Sequence, residues 1–197
     1  FPISRIFQNL IHPIIFSLAK ASYGWGIGKA LIIIGQRFKL LNFEVTKAEK
    51  AGIQAGVFPT RLPNALAKLA LIQFNLLDKF NVHRRELAKQ YYEKLKGISA
   101  FTLVNPEKMP GAIFLRYPLL SKSSKQIISS AKKNKIILGD WYTVPVAPPD
   151  ISQEKSGYIK GDNPHAELIC SQVVNLPTQQ SIKDKDANKI INFLIKN

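Results

Sequence analysis

The sequence is poor in sulfur, in acid and in long apolar runs. Its one cysteine, Cys170, excludes an internal disulfide and any cysteine-cluster metal site, and fits a reducing, intracellular setting. The three histidines, His12, His83 and His165, lie far apart and none belongs to an HExxH-type ligand pair, so no metal site is expected. The chain begins at Phe1 and its only methionine is Met109, which leads us to expect a fragment or a processed product. Acidic residues number 13 against 28 Lys and Arg, for a net charge of +15. Such a balance permits nucleic acid, an anionic membrane surface or anionic substrates as partners. The cations are scattered through every segment, with no sustained basic run and no Arg-rich arm, so a specialised nucleic-acid binder is not expected.

What is present is enough apolar residue, 46% of 197, to build a packed core. Residues 1–43 are apolar and basic, with two short runs, Leu10–Ala19 and Ala30–Ile34, broken by Pro13, Lys20 and the Gly24–Gly28 cluster. Neither run reaches the ~18–20 residues that span a bilayer, and no small-residue cleavage site follows a single clean run as in a signal peptide. The segment reads either as helices that pack on a larger body or as a surface lying in a membrane interface. In the second case Arg5, Lys20, Lys29, Arg37 and Lys39 face headgroups. The run GWGIGK (24–29) is not a phosphate loop: Tyr23 stands where the first glycine belongs and Ala30 where Ser or Thr would hold magnesium.

The best-defined stretch is Arg61–Gly97. Leu66, Leu69, Gln73, Leu77, Phe80, Arg84, Leu87, Tyr91 and Leu95 recur at steps of three or four, which places them on one stripe of an α-helix. Pro63 suits the first turn and Gly97 a left-handed C-terminal stop, with a bend expected near Asn75 or Asn81. After it, Phe101–Val104 and Ala112–Leu120 read as antiparallel strands about the turn NPEKMPG, and Ser121–Asn134 as a helix burying Ile127, Ile128 and Ala131. Lys135–Tyr142 reads as a third strand, and Thr143–Asp162 as a long loop. Asn163–Asn175 reads as a helix closed by Leu176-Pro177-Thr178, and Lys183–Lys196 as an amphipathic helix with Ala187, Ile190, Ile191, Phe193, Leu194 and Ile195 on its apolar face. The class is α+β: a long helix leading into a small antiparallel sheet covered by helices, preceded by a helical apolar N-terminal segment. Cys170 is expected inside a helix as a buried apolar residue, and His83 and His165 at solvated surface positions. Asn163, Pro164 and Glu167 are expected to cap and orient their helix.

Four of these stretches, in order, resemble one family. RLPNALAKLALIQFNLLDKFNVHRRELAKQYYEKL is similar to the segment that opens the C-terminal domain of DegT/DnrJ/StrS-type aminotransferases. KIILGDWYTVPVAPP resembles their substrate-side loop, GYIKGDNPHAELICSQVVNLPT their helix and Leu-Pro signature, and KDKDANKIINFLIKN their closing helix. The resemblance covers about residues 56–197. It implies the C-terminal domain of a pyridoxal-phosphate (PLP) transferase of the aspartate-aminotransferase fold, with residues 61–197 forming that small domain and 51–60 a connector. Residues 1–50 would be an insertion or a remnant of the large domain. The implied activity is amino transfer from an amino-acid donor to a nucleotide-linked keto sugar, in glycan or polysaccharide biosynthesis, by a cytoplasmic homodimer that is membrane-associated if residues 1–43 meet a bilayer.

The family carries its Schiff-base lysine ahead of the matched region, so no catalytic lysine is named and the chain alone is expected to be inactive. A family motif Tyr-Asn-x-Arg, which reaches the neighbouring subunit's cofactor phosphate, is matched here by Phe58-Pro59-Thr60-Arg61. Phe58 and Arg61 match; Pro59 has neither an amide side chain nor an N–H, which leaves Thr60 and Arg61 as the cofactor-binding candidates. Relatives present a His-Tyr pair at the sugar-nucleotide site; here it is Trp141-Tyr142, with stacking in place of hydrogen bonding by histidine. Phe58, Trp141 and Tyr142 are therefore the substrate-side candidates. The alternative for Trp141 and Tyr142 is that they end a strand and fill the core. The competing function is a non-catalytic module that meets a membrane surface through residues 1–43.

Overall fold

Contacts divide the chain between Asn75 and Leu76, inside the stretch read from sequence as one helix, into units Phe1–Asn75 and Leu76–Asn197. The computed structural model describes residues 2–22, 27–38, 40–41, 47–53, 61–151 and 154–196.

The first unit is helical. Helices α1 (Ile3–Ala21) and α2 (Ile27–Arg37) pack on each other, followed by the single turn α3 (Lys47–Lys50) and by α4 (Asn64–Phe74). Gly35 is buried in the α1–α2 contact: a β-carbon there would lie 3.8 Å from Ile15 and 3.1 Å from Leu41, so the helices approach on the side where the chain is smallest. Large apolar residues are nonetheless left outside, among them Ile3, Phe7, Leu10, Ile14 and Leu18 of α1. No helix among the described residues is long and apolar enough to cross a membrane. Of the GWGIGK run, Ile27–Lys29 form the first turn of α2 and the rest lies outside the described residues.

The second unit holds the sheet. Helix α5 (Leu77–Leu95) has Asp78 in its first turn and Lys94 in its last, as the helix dipole favours. It buries Leu87, Ala88, Tyr91 and Leu95. Strands β1 (Thr102–Leu103), β2 (Arg116–Leu120) and β3 (Val173–Pro177) follow in the spatial order β1-β2-β3, all antiparallel. Between β2 and β3 come α6 (Ser124–Lys133) and α7 (Pro164–Gln172), and α8 (Asp184–Lys196) closes the chain. One face of the sheet is the core: Tyr117 pairs with Leu176 and Leu119 with Val174, all at 0% exposure, packed with Leu87, Tyr91 and Leu95 of α5 and Ile190, Ile191 and Leu194 of α8. The Tyr91 hydroxyl donates to the Pro177 carbonyl at 3.0 Å and the Tyr117 hydroxyl to Val104 at 2.8 Å, so both buried phenols are satisfied.

The α+β layer agrees with the sequence reading; several of its parts do not. The long helix is two helices, because Asn75 ends α4 and Leu76 starts α5 across a turn. The predicted stripe is buried only in its C-terminal part. Leu66 and Leu69 are half-buried, while Gln73 and Leu77 are exposed and α4 buries no residue. Pro63 stands one place ahead of the first turn, as the N-cap, and Gly97 is not left-handed; the chain leaves α5 through a right-handed Lys96. Lys135–Tyr142 is not a strand: only Gly139 pairs, through a two-way main-chain bridge to Asn175 at 2.8 and 3.0 Å. The third strand is instead Val173–Pro177, which the sequence reading had divided between a helix and its closing turn. In α6, Ile127 and Ala131 are buried and Ile128 half-buried, and in α8 Ile195 is 55% exposed, outside the buried face.

Candidate functional site

Side chains alternate across a strand, so the residues of β2 and β3 that do not enter the core point to the other face together. On that face Arg116 lies opposite Pro177, Pro118 opposite Asn175 and Leu120 opposite Val173. Helix α7 and the segment after Gly139 wall this face. Between them lies a cleft of about 360 Å³ lined by Leu115, Arg116, Pro118, Trp141, Tyr142, Ile169, Cys170, Val173 and Asn175.

Trp141 and Tyr142 thus stand at a cleft rather than in the core: they are 49% and 62% exposed, with rings edge to face at 6.4 Å. The Arg116 guanidinium lies 4.4 Å from the Trp141 ring centroid, a cation–π distance. Asn175, 4% exposed, donates from Nδ2 to the Trp141 carbonyl at 2.9 Å while its main chain holds Gly139. Trp141 is therefore placed twice, by the bridge two residues before it and by an amide aimed at its own carbonyl. Tyr142 has φ 64 and Phe114, two residues ahead of Arg116, has φ 54. Left-handed backbone at bulky residues carries a cost, and such costs gather where geometry is needed for function. The Phe114 carbonyl is held by the Thr178 hydroxyl at 2.8 Å, which lies equally close to the Leu115 carbonyl.

A second cleft, about 430 Å³, shares Cys170 with the first and opens between α7 and the long loop. Here Glu167 accepts from the Tyr158 hydroxyl and from the Gly161 N–H, both at 2.6 Å. These bonds, Tyr158's first, hold the Glu167 carboxyl below its ordinary range, and the same carboxylate pushes the Tyr158 phenol up to about 12. Glu167 thus ties the loop to α7, while Asn163 makes no side-chain cap and Pro164 takes the first helical position as expected. Cys170 is half-buried rather than buried, and burial raises its thiol pKa. His165 is exposed, and half-buried His83 lies 3.4 Å from the Gln179 carbonyl.

Of the other candidates, Phe58 and Thr60 lie outside the described residues, and Arg61 is exposed ahead of α4 in the first unit, whereas Trp141 and Tyr142 belong to the second. Sequence reading missed Arg116 and Asn175. The signal was present in each case: one charged residue within AIFLRYPLL and one amide within VVNLP, polar intrusions into apolar strands. The cleft presents an aromatic face, a guanidinium and an amide. It offers neither an amine to form an imine nor a carboxylate to pair with a pyridinium, and every lysine from Lys68 onward is exposed. What the cleft does present among the described residues is chemistry suited to holding a ring and an anion rather than to forming an imine.

An antiparallel three-strand sheet with α5 and α8 on its core face and a cleft on the other is the layout of the small domain of PLP-dependent transferases. Residues 36–195 match the profile of the DegT/DnrJ/EryC1/StrS aminotransferase family, and the chain belongs to that family. The match begins ahead of residue 56, where the resemblance read from sequence begins. Family members depend in general on PLP. The chain is 24% identical over 135 residues to protein MJ1066 of Methanocaldococcus jannaschii, and 21% identical over 136 residues to a pleiotropic regulatory protein of Geobacillus stearothermophilus. It spans only about a third of each: 66% of this chain on 35% of the first, 68% on 36% of the second. Among solved structures it is similar to S. venezuelae DesV in complex with a ketimine intermediate, with TM-score 0.60, 23% identity, and 73% of this chain on 40% of that one. It is likewise similar to the aminotransferase TlmJ of Streptoalloteichus hindustanus, with TM-score 0.57, 18% identity, and 72% of this chain on 38% of that one.

Proposed function

We propose that this chain is the sugar-recognising part of a PLP-dependent aminotransferase, which moves an amino group from an amino-acid donor to a nucleotide-linked keto sugar in glycan or polysaccharide biosynthesis. The observation that carries the reading is the Arg116–Trp141 pair, 4.4 Å apart at the mouth of the cleft. An indole face stacks on a sugar or base ring, and a guanidinium beside it meets the diphosphate that links the two. Asn175 holds the Trp141 main-chain carbonyl and Tyr142 extends the wall. When bound elsewhere in the whole enzyme, PLP supplies the electron sink for amino transfer; the residues here bind and orient the acceptor. Thr60 and Arg61 remain proposed contacts to the cofactor phosphate, and Phe58 to the substrate, in a homodimer that works in the cytoplasm. On this reading the Schiff-base lysine lies outside the matched region, and the chain alone is expected to be inactive.

The test is binding by the chain itself. Titration calorimetry or ligand-observed NMR against a panel of nucleoside-diphosphate sugars is expected to find one that binds. Arg116→Leu and Trp141→Ala are each expected to weaken it about tenfold, the worth of one desolvated cation–π or charge-assisted contact. Equal binding by both variants, or free nucleoside diphosphate and sugar each binding as well as the linked ligand, would overturn the reading. A second reading is favoured by the exposed apolar residues of α1: peripheral contact with a membrane surface through residues 1–43, where lipid-linked sugars are assembled.

A further inference from the structure

Helix α1 is inverted with respect to solvent. Ile3, Phe7, Leu10, Ile14 and Leu18 follow at steps of four, three, four and four, so they form one row along the helix, and all five are exposed. The row runs about 22 Å at 1.5 Å per residue. The opposite face is the one turned inward: Arg5, Gln8, His12 and Ile15 are half-buried and Ala19 is buried. Helix α2 repeats the pattern, with Ile27 and Ile34 exposed, Phe38 exposed just past its end, and Gly28 and Gly35 buried. A continuous apolar row of this length on a helix pair marks a surface that meets something apolar.

Charge says what. Residues 1–43 contain no Asp or Glu, while Arg5, Lys20, Lys29, Arg37 and Lys39 supply five cations. Neither helix is long and apolar enough to cross a bilayer. Helix α1 and all of α2 but Gln36 and Arg37 precede the region that the family profile matches. We infer that the α1–α2 pair lies flat in the interface of an anionic membrane, with the Ile3–Leu18 row in the acyl boundary, exposed Arg37 at headgroup phosphates and the acid-free composition of residues 1–43 favouring anionic lipid. Long basic side chains reach outward from such a position, and anionic lipid draws them.

The inference deepens the peripheral-membrane reading and is independent of the sugar cleft. Flotation of the full chain with vesicles of neutral phosphatidylcholine, and of phosphatidylcholine with about a third phosphatidylserine, tests it. Partition is expected to be at least about tenfold stronger on the anionic vesicles and to weaken with salt. The double variant Phe7→Asp/Ile14→Asp, which changes exposed positions only, is expected to lose about tenfold or more. Ile137→Asp/Ile159→Asp makes the same charge change at exposed positions of the second unit and is expected to stay within about twofold. Absence of flotation, equal partition to neutral and anionic vesicles, or an equal loss in the control pair would overturn the inference. Self-association that persists under saturating anionic lipid and disappears in Phe7→Asp/Ile14→Asp would assign the row to a second copy of the chain, and would overturn it too.

Discussion

Asn175→Ala separates two ties that hold Trp141 over the cleft. The main-chain bridge between Asn175 and Gly139 survives the change; the bond from Nδ2 to the Trp141 carbonyl at 2.9 Å does not. A buried hydrogen bond contributes about 0.5–1.5 kcal/mol net. The freed carbonyl belongs to a residue that is 49% exposed, so water replaces the lost donor and the cost of an unsatisfied group is small. Removing the amide from a site that is 4% exposed leaves a small void, which adds up to about 1 kcal/mol. The expected sum is about 1–2 kcal/mol. The assay uses the two tryptophans: with Trp25→Phe as background, Trp141 is the sole reporter. Urea unfolding followed by its emission should show a lower midpoint at unchanged slope, and iodide should quench the native emission more strongly than in the parent. A stability change within about 0.3 kcal/mol together with unchanged quenching would refute the idea that Asn175 positions the indole.

Two further outcomes follow from the same geometry. Tyr91→Phe removes the hydroxyl that satisfies the Pro177 carbonyl at 0% exposure, and is expected to cost about 1–2 kcal/mol, seen as a thermal midpoint lower by about 3–6 °C. The clasp of Glu167 with Tyr158 has a pH signature. The Glu167 pKa is lowered on folding, so its contribution is present above the ordinary carboxylate range and is lost as pH falls through the lowered value. The Tyr158 pKa is raised from 10.0 to about 12, so its share is full below 10.0 and is lost as pH rises towards 12. Hydrogen exchange of residues 154–162 should accelerate relative to α7 at both extremes, with the alkaline arm absent in Tyr158→Phe; a ratio flat with pH would rule the clasp out.

Legibility followed local punctuation. Strand β2 could be read because NPEKMPG precedes it and serines follow it. Strand β3 could not, because α7 runs into it with no glycine or proline between: Val173 is at once the residue that ends the helix and the first of the strand. ICSQVV therefore reads as helix until the sheet is seen to claim it. The reverse error fell on KIILGDWY, whose β-branched and aromatic residues promise a strand. Lys135 enters with φ 56 and only Gly139 finds a partner. In the Arg61–Gly97 stretch the apolar period located the buried face only in its C-terminal part and could not say what covers it. Gln73 and Leu77 of the expected stripe are exposed, whereas Leu87, Tyr91 and Leu95 meet the sheet. For the cleft, Trp141 and Tyr142 were visible as adjacent aromatics beside a loop, but Arg116 and Asn175 are distant in sequence and are brought together only by the β2–β3 pairing.

That pairing joins stability to recognition. Alternation sends Tyr117 and Leu119 into the core and leaves Arg116 and Pro118 for the cleft, so a slip of one residue would bury a guanidinium and put a core tyrosine at the binding face. The bonds that forbid the slip are core bonds. Tyr117 reaches Val104, Tyr91 fixes the end of β3 at Pro177, and Thr178, the next residue, reaches back to the carbonyls of Phe114 and Leu115 where β2 begins. Each fixes the chain at or beside a strand end, and each thereby helps to set where Arg116 lies beside Trp141. Substitutions at Tyr91, Tyr117 or Thr178 should therefore weaken the sugar-nucleotide binding we propose without touching the ligand, in proportion to the register they release.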